Sequence, residues 1–361
     1  MIAFRGWLLQ LYEDPTDGLR LWFIADTGER ICLHQPMPIT FYAAGSNKQL
    51  RALWIYLRRQ AGVLSLSRVM RRDVFLPEEI PLLQAIIDNP IRQAKIFRDL
   101  QDKFPSLTYY DADVDIGTRY AASTGLFTTA FCDVEADDTG EIKALHVRNT
   151  RWDLYPNPPI FRTLTIVPNS DPEREDPIYL RLTYQNHWKP VSLVDPDRAI
   201  TVLNEVIDKV DPDIIFTHWG DTWVIPRLLH LEKQAARKIH FNRDPERAVR
   251  WQKELTYFSY GQIVYRAPEA HLFGRSHIDQ KNAMMWKDYA LDGVLESARV
   301  TAQSIEKAAR VSPGSGISAM QMITALEQRI LIPWHKQQVE DFKTGVDLIH
   351  RDRGGLVYQP I

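Results

Sequence analysis

The sequence predicts a layered α/β fold, a mixed β-sheet flanked by helices, preceded by a β-rich α+β N-terminal domain. Three observations lead to this prediction. Turn signals separate short β-rich runs over residues 7–40, which predicts an antiparallel meander. Beyond residue 158, apolar strand-like runs alternate with amphipathic helical patterns, as in layered α/β domains. Between the two halves, "YPNPP" places three prolines in five residues, which predicts a stiff, extended connection.

Composition limits the class of protein. The 361 residues are 45% apolar and 11% aromatic, enough for one large core or two ordinary cores. Lys and Arg number 44 against 46 Asp and Glu, so any nucleic-acid contact must be local. Two cysteines, Cys32 and Cys132, are too few for a disulfide framework or a zinc site, which predicts a reducing, cytoplasmic location. The N-terminal apolar run is too short to span a bilayer, and no membrane association is expected.

The N-terminal half contains one clear helix signal. The first apolar run is interpreted as a strand. The segment "SNKQLRALWIYLRRQ" predicts a helix, because Ser46 suits an N-cap and apolar residues recur on one face. A second helix is predicted over residues 82–100, after "LPEE". Residues 111–158 are predicted to return to strands, and a domain boundary is placed at residue 158.

The second half alternates strands and helices. The runs "IFRTLTIVP" and "IYLRLTY" predict buried strands. Asp195 as N-cap and Pro196 at the first helical position predict a helix in "DPDRAITVLNEVIDKVDPD". The strand "IIFTHW" and the helix "TWVIPRLLHLEKQAARK" follow, and residues 282–327 are predicted to be largely helical. The stretch "SPGSGIS" lacks the lysine and the preceding strand of a phosphate-binding loop and is interpreted as a backbone turn.

The stretch "FCDVEADDTGE" raises the question of catalysis. Asp133 and Glu135 stand two apart on a predicted strand, so both carboxylates face one side, as a metal-dependent nuclease requires. The alternative is a solvated acidic strand end before the turn "DDTGE".

Four stretches, in order, resemble the N-terminal half of family B DNA polymerases. They are "YDADVDIGTRYAASTGLF", "DPDIIFTHWGDTWVIPRL", "GRSHID", and "LESARVTAQSIEKAARVSPGSGISAMQ" running on to "DRGGLVYQP". Chance matches rarely keep both order and spacing. The resemblance implies an N-terminal domain over residues 1–158 and a ribonuclease-H-like 3′–5′ exonuclease domain over residues 159–330. It also implies a connection over residues 331–361 to a missing palm domain.

The resemblance also implies where metal ligands belong. Family exonucleases hold two divalent ions with an Asp and a Glu on the first strand, an Asp after the second motif, and a last Asp on a helix. Here Val167 and Asn169 occupy the first two positions and Val224 the third, with Asp133 and Glu135 on an earlier strand. A pair of Mg²⁺ or Mn²⁺ ions then has too few hard oxygen ligands.

Two further acidic features were weighed as ligands. Asp221, three residues before Val224, is interpreted as the cap of a helix that starts near residue 222. The helical insertion that carries the family's last ligand is lost, since only about seventeen residues separate Asp279 from Glu296. Residual acids include Asp279 and Asp292, and Asp292 recurs with Asp288 and Glu296 on one predicted helical face, a pattern typical of a solvated surface. The sequence predicts an exonuclease domain without nuclease activity, metal or other cofactor.

The implied function is structural. The chain is expected to bind DNA, as single-stranded template or primer-template, and to support the palm, fingers and thumb of a polymerase in the same chain or a separate one. Because the sequence stops before any palm motif, a truncated chain or one part of a split polymerase is expected.

Candidate DNA contacts are Trp219, Trp223 and Arg310. Core packing competes for at least two of the tryptophans in this region, which include Trp286. The basic run over residues 68–74, with Lys307 and Arg310, is a second candidate for phosphate contacts, against the alternative of a solvated surface.

Two alternatives stay open. The first is an active Mg²⁺- or Mn²⁺-dependent exonuclease with the relocated ligands Asp133, Glu135, Asp221 and Asp279. The second is a non-catalytic interaction module unrelated to replication.

Overall fold

The computed structural model describes residues 1–74, 77–259, 262–284 and 286–334, together with residues 344 and 346. The strands are β1 Ile2–Asp14, β2 Gly18–Ala25, β3 Arg30–Gln35, β4 Ile39–Ala44, β5 Val63–Asp73, β6 Glu79–Ile87, β7 Thr108–Tyr110, β8 Phe131–Ala136, β9 Ile142–Val147, β10 Thr163–Pro168, β11 Tyr179–Tyr184, β12 His187–Ser192, β13 Ile214–Thr217, β14 Arg250–Gln252, β15 Leu255–Ser259, β16 Gln262–Arg266, β17 Glu269–His271, β18 Ser276–Asp279 and β19 Ile330–Leu331. The helices are α1 Asn47–Leu57, α2 Pro90–Lys103, α3 Ile116–Thr124, α4 Pro196–Val210, α5 Ile225–Ala235, α6 Trp286–Thr301, α7 Ile305–Arg310 and α8 Pro313–Glu327, with a π-helical turn at Gly220–Val224.

The first sheet contains the predicted meander. Its strand order is β3-β2-β1-β8-β9, and all of its neighbouring strands are antiparallel. Alternate side chains such as Leu8, Leu21 and Phe23 pack in a core with Tyr120 of α3. The meander prediction is confirmed, and β8 and β9 extend it into a five-stranded sheet.

A second N-terminal sheet is a split β-α-β unit. The elements β4, α1, β5, β6, α2 and β7 follow one another along the chain, and the strands lie in the order β5-β6-β4-β7. Ser46 caps α1 as predicted, because its hydroxyl accepts the N–H of Gln49 while the Gln49 side chain accepts the N–H of Ser46. Helices α1 and α2 cover one face of this sheet.

The helix predicted over residues 82–100 is wrong in its first half. Strand β6 occupies residues 79–87 and pairs with β4 and β5. Helix α2 begins at Pro90, where the side-chain oxygen of Asn89 accepts the N–H groups of Ile91 and Arg92. A short apolar run lacks the periodicity that separates a strand from a helix, and the pairing partners decide between them.

The prediction of strands over residues 111–158 is incomplete, because α3 lies within them. At the start of α3, the Asp115 carboxylate accepts the N–H groups of Gly117 and Thr118. Gly125 ends the helix with φ of 74°. The sequence contains both helix signals, since Asp115 is a typical N-cap residue and Gly125 is a typical residue at a helix C-terminus.

The mixed sheet forms the centre of the second half. Its order is β12-β11-β10-β13-β18; β10, β13 and β18 run parallel, and β11 pairs antiparallel with both β10 and β12. Helices α4 and α5 pack on one face, whereas α6, α7 and strands of the first sheet pack on the other. The prediction that β11 is fully buried is wrong. Leu180 and Leu182 are buried, but Tyr179, Arg181 and Thr183 face outward.

A buried ionic cluster joins the first sheet to the mixed sheet. The carboxylate of Asp213, at the entry to β13, is fully buried and accepts hydrogen bonds from Arg30 of β3 and from Arg243. Asp211 accepts from Arg243 and Arg275 at 2.9 and 3.0 Å. The sequence motif "DPDIIF" therefore fixes the packing of two sheets, because a buried carboxylate requires cationic partners.

The C-terminal helices differ from the prediction in two details. Helix α6 contains a kink at Ala290, where φ is 49° and ψ is −155°. The stretch "SPGSGIS" is the beginning of α8 rather than a backbone turn. Strand β19 then returns to β5, and residues 335–361 of the predicted connection, except 344 and 346, lie outside the described residues. Within the described part of the chain, each helix is too short or too polar to cross a lipid bilayer.

Candidate functional site at the carboxyl end of the mixed sheet

The first-strand positions lie at the end of β10. Val167 is half-buried, and Asn169 follows the strand in an exposed position. The side-chain oxygen of Asn169 accepts the N–H groups of Ile178 and Tyr179 at 3.0 and 2.9 Å. Asn169 therefore closes the connection between β10 and β11, and its one amide oxygen is engaged in that contact.

Val224 ends the π-helical turn and lies inside the core. Its side chain is fully buried among Leu164, Ile166, Leu203 and Leu228. A carboxylate at this position would sit in an apolar environment, which strongly disfavours its charged form. Packing of α5 on the mixed sheet thus directs this position inward.

Asp221 does not have its predicted role as a helix cap. Its carboxylate is buried and accepts the N–H of Ala270 and the side-chain N–H of Asn282, both at 2.8 Å. Arg310 Nη2 lies 3.2 and 3.1 Å from the two carboxylate oxygens. The turn that contains Asp221 has no side-chain cap. Asp221 instead connects the π-helical turn, β17 and α7.

Arg310, which was predicted to bind DNA, is buried. The side chain is only 2% exposed and lies at the end of α7. Besides Asp221, its guanidinium donates to the main-chain oxygen of His277 at 3.2 Å. A contact with DNA phosphates requires an exposed cation, so the buried position of Arg310 corrects that prediction.

His277 completes this group, although its loose sequence pairing with His271 in "HLFGRSH" predicts no site. The ring is fully buried, with Nε2 2.9 Å from the Thr217 hydroxyl and Nδ1 2.9 Å from the Ala270 oxygen. Burial lowers the pKa of His277 to about 4. The neutral ring therefore donates from Nδ1 to the carbonyl and accepts from the hydroxyl. Its flanking strand residues in "GRSHID" were the available signal.

Gly220 allows this arrangement to pack. A Cβ atom at Gly220 would lie 1.8 Å from the Thr217 hydroxyl oxygen and 2.7 Å from His277 Nε2. Such distances are far below van der Waals contact, so only glycine fits between β13 and the π-helical turn.

Asp279 lies beside the same turn, at the end of β18. Its carboxylate accepts the N–H groups of Asp221 and Lys281, each at 3.0 Å. Burial raises the pKa of Asp279 to about 6. We call the group of polar residues around this turn the Asp221 cluster; its members are Asp221, Arg310, His277, Asp279 and Asn282. The residual acid Asp279 thus binds one backbone amide of the π-helical turn and one just after β18.

The remaining acidic candidates lie elsewhere. Asp133 and Glu135 are on β8 of the first sheet, and Asp133 pairs with Arg148. Asp292 is exposed on α6, and the kink at Ala290 separates it from Asp288, so the predicted single acidic face is broken. Among residues whose positions are described, no three His, Cys, Asp or Glu side chains come close enough to hold a metal ion. The structure thus does not unite the four ligands of the alternative exonuclease.

The tryptophans divide into two groups. Trp223 and Trp286 are half-buried and pack against other side chains: Trp223 contacts the core of the mixed sheet, and Trp286 contacts Phe216 with ring centroids 5.0 Å apart. Trp219 is half-buried at the carboxyl end of β13, with φ of 54°. Lys281 Nζ lies 5.0 Å from its ring centroid. An aromatic ring and an exposed ammonium group therefore lie together at this edge.

Comparisons with known proteins agree at the level of fold. No protein-family profile matches the sequence, and no curated protein matches it. The chain is similar to a solved family B DNA polymerase from the hyperthermophilic archaeon Pyrobaculum calidifontis, with a TM-score of 0.66 and 18% sequence identity. The chain has a polymerase-like fold. The match covers 93% of this chain and 52% of that polymerase, so the chain spans about half its length.

The polymerase-like fold includes both parts that the sequence predicted. The β-rich N-terminal region and the mixed sheet with flanking helices confirm the predicted α/β fold class. At 18% identity the similarity supports the fold alone, and the chemistry of the site has to be argued from its residues.

Proposed function

We propose that this chain is the N-terminal and exonuclease-like portion of a family B DNA polymerase, without nuclease activity. In this proposal, residues 1–158 form the N-terminal domain, residues 159–330 the exonuclease-like domain, and residues 331–361 the connection to the palm. The exonuclease-like domain supports a palm, in the same chain or a partner chain, and contacts single-stranded template or primer-template DNA in the cytoplasm.

One observation carries the proposal. The acid nearest the expected third ligand, Asp221, is buried and neutralised by Arg310 at 3.1 Å, while Val224 lies in the core. Two catalytic ions require several accessible carboxylate oxygens around them. The Asp221 cluster uses its oxygens for protein contacts, so the site holds the fold together instead of binding cations.

The DNA-binding part of the proposal rests on Trp219 and Lys281. Of the three predicted DNA contacts, Arg310 is buried and Trp223 packs its half-buried ring against the core, whereas the half-buried Trp219 lies beside an exposed lysine. An aromatic ring beside a cation can stack a base and pair with its phosphate without reading sequence. We expect Trp219→Leu to weaken binding of oligo(dT), with Trp188→Leu, an exposed tryptophan on β12, as the matched control.

A nuclease assay tests the loss of chemistry. The purified chain is incubated with single-stranded DNA labelled at its 5′ end, with Mg²⁺, Mn²⁺ or EDTA, and removal of nucleotides from the 3′ end is followed on a sequencing gel. We expect no metal-dependent shortening. Shortening in Mn²⁺ that Asp133→Ala and Asp279→Asn each abolish would refute the proposal and support the exonuclease with relocated ligands.

A binding assay tests the scaffold role. The chain is mixed with labelled primer-template and, separately, with a palm-containing polymerase fragment, and complexes are measured by anisotropy and size-exclusion chromatography. Complexes with both are expected. Absence of both complexes would favour the non-catalytic interaction module.

A further inference from the structure

One segment of the N-terminal domain departs sharply from the charge balance of the chain. Residues 46–72 contain Lys48, Arg51, Arg58, Arg59, Arg68, Arg71 and Arg72 but no Asp or Glu. The whole chain, in contrast, has a formal net charge of −2. A run of positive charge without acids raises the local concentration of polyanions, provided that the fold gathers it on one surface.

The fold does gather this segment, because it forms α1 and β5. Between them lies a cavity of about 440 Å³ lined by Asn47, Leu50, Arg51, Trp54, Arg68 and Leu83. This cavity, called the α1–β5 groove below, is on the face of the second sheet that α1 covers. It lies in the N-terminal domain, away from the Asp221 cluster of the mixed sheet.

The groove has an apolar floor and a basic rim. Leu50 and Leu83 are buried beneath it, while Arg51 and Arg68 are exposed. Arg68 donates to the side-chain oxygen of Asn47 at 3.0 Å, which holds its guanidinium toward α1. Trp54 is half-buried and rests on the domain core, so its ring forms a fixed wall of the cavity.

The exposed face of α1 continues the same pattern. The exposed residues Arg51, Ile55 and Arg58 recur at helical spacing, and the half-buried Trp54 lies between them and the buried Leu50, Leu53 and Leu57. An aromatic wall flanked by guanidinium groups has the chemistry that binds single-stranded nucleic acid, since bases stack on the ring and phosphates pair with arginine.

We propose that the α1–β5 groove binds single-stranded nucleic acid, with a base against Trp54 and backbone phosphates at Arg51 and Arg68. The inference goes beyond the proposed function, because it concerns a second surface and holds whether or not the exonuclease-like domain has nuclease activity. The groove has no feature that selects deoxyribose over ribose, so oligo(dT) and oligo(U) are both tested.

An anionic membrane is the competing partner for a basic helix face. Membrane-binding helices present a wide apolar face beside their basic residues. The wide apolar face of α1 is buried in the domain, and Trp54 lies in a concave site instead of protruding. The geometry therefore favours an extended polyanion with flat bases.

The experiment uses the full chain and fluorescein-labelled oligo(dT), oligo(U) and duplex DNA in anisotropy titrations at several salt concentrations. Arg51→Gln/Arg68→Gln is expected to weaken single-strand binding and to reduce the salt slope by about 1.4, since each lost phosphate contact removes about 0.7. Arg174→Gln/Arg198→Gln is the charge-matched control, since both arginines are exposed in the second half of the chain.

The aromatic contact is tested with Trp54→Leu and Trp54→Phe. Loss of the ring in Trp54→Leu is expected to weaken binding by about tenfold, whereas Trp54→Phe keeps a stacking surface and retains most of the affinity. Circular dichroism and urea unfolding confirm that each variant is folded. If a Trp54 variant does not fold, the titration of Arg51→Gln/Arg68→Gln still tests the inference, because both arginines are exposed and their replacement leaves the core intact.

Three outcomes would overturn the inference. They are equal loss in the control pair, unchanged binding in Arg51→Gln/Arg68→Gln, and tighter binding of anionic phosphatidylserine vesicles than of oligonucleotides. Trp219→Leu run in parallel separates the two proposals, because it changes the edge of the mixed sheet and leaves the α1–β5 groove intact.

Discussion

Arg310 places its Nη2 atom 3.1 Å from a carboxylate oxygen of Asp221, 89 residues earlier in the chain, and both side chains are buried. This ion pair lies beside the carboxyl end of β13 in the mixed sheet. The guanidinium supplies the positive charge that neutralises the buried acid, and further hydrogen bonds from Ala270 and Asn282 satisfy its oxygens. The charge of the buried Asp221 carboxylate is therefore balanced within the protein.

Breaking this pair is expected to destabilise the fold. Arg310→Met leaves the Asp221 carboxylate buried without its cation, and we expect a loss of about 3–5 kcal/mol in the free energy of unfolding by urea. The double variant Asp221→Asn/Arg310→Met should lose less than the two single variants combined, because neither charge remains. Arg5→Met, which removes an exposed pair with Asp26, should cost less than about 1 kcal/mol. If Arg310→Met also lowered the free energy of unfolding by less than about 1 kcal/mol, the structural role of the Asp221–Arg310 pair would be contradicted.

Restoring an acid at the expected ligand position should not restore chemistry. Val224→Asp puts a carboxylate into the core beneath α5, and we expect a loss of at least about 3 kcal/mol without metal-dependent protection. Val194→Asp, at an exposed position, should change stability by less than about 0.5 kcal/mol. Thermal unfolding of the two variants with and without Mn²⁺ measures their stability and any stabilisation by the metal ion. A rise in Tm on adding Mn²⁺ to Val224→Asp alone would show that the site can still bind cations.

The contact between β13 and the π-helical turn predicts that Gly220 is intolerant of any side chain. Gly220→Ala would bring Cβ within 1.8 Å of the Thr217 hydroxyl oxygen, and we expect a cost of about 1–3 kcal/mol or more. Gly314→Ala in α8 meets only Ser312 Oγ at 3.7 Å and should be neutral or stabilising by up to about 1 kcal/mol. Urea unfolding of the two alanine variants compares them directly, and equal effects would argue against the close approach at Gly220.

The raised pKa of Asp279 predicts that the free energy of unfolding depends on pH. Burial raises its pKa from an ordinary 3.8 to about 6 in the folded chain, so between these values the folded chain binds a proton that the unfolded chain has released. This contribution therefore favours the fold at low pH and is lost as pH rises toward 6. The amide introduced by Asp279→Asn cannot titrate, so this variant should gain up to about 3 kcal/mol relative to the wild type between pH 4 and pH 6. Urea unfolding at half-unit pH steps measures this difference, and parallel curves would contradict it.

Local signals in the sequence predicted individual elements well where they were complete. The start of α1 follows directly after Ser46, which forms a capping box with Gln49. The start of α4 follows directly after Asp195, with Pro196 as the first helical residue. The predictions failed where an apolar run had no periodicity, as in β6, and where Asp115 and Gly125 framed a short helix that was read as strand. Caps act through hydrogen bonds within one helical turn, so they are visible locally, whereas strand pairing is not.

The sequence by itself determined the layered α/β class, the order of most elements, and the absence of acids at Val167, Asn169 and Val224. Only the tertiary structure decided what Asp221, His277 and Arg310 do, because a charge becomes costly or useful only once packing removes it from water. Such an environment is created by elements far apart in the chain, here β13, β17, β18 and α7, and no short stretch of sequence encodes it.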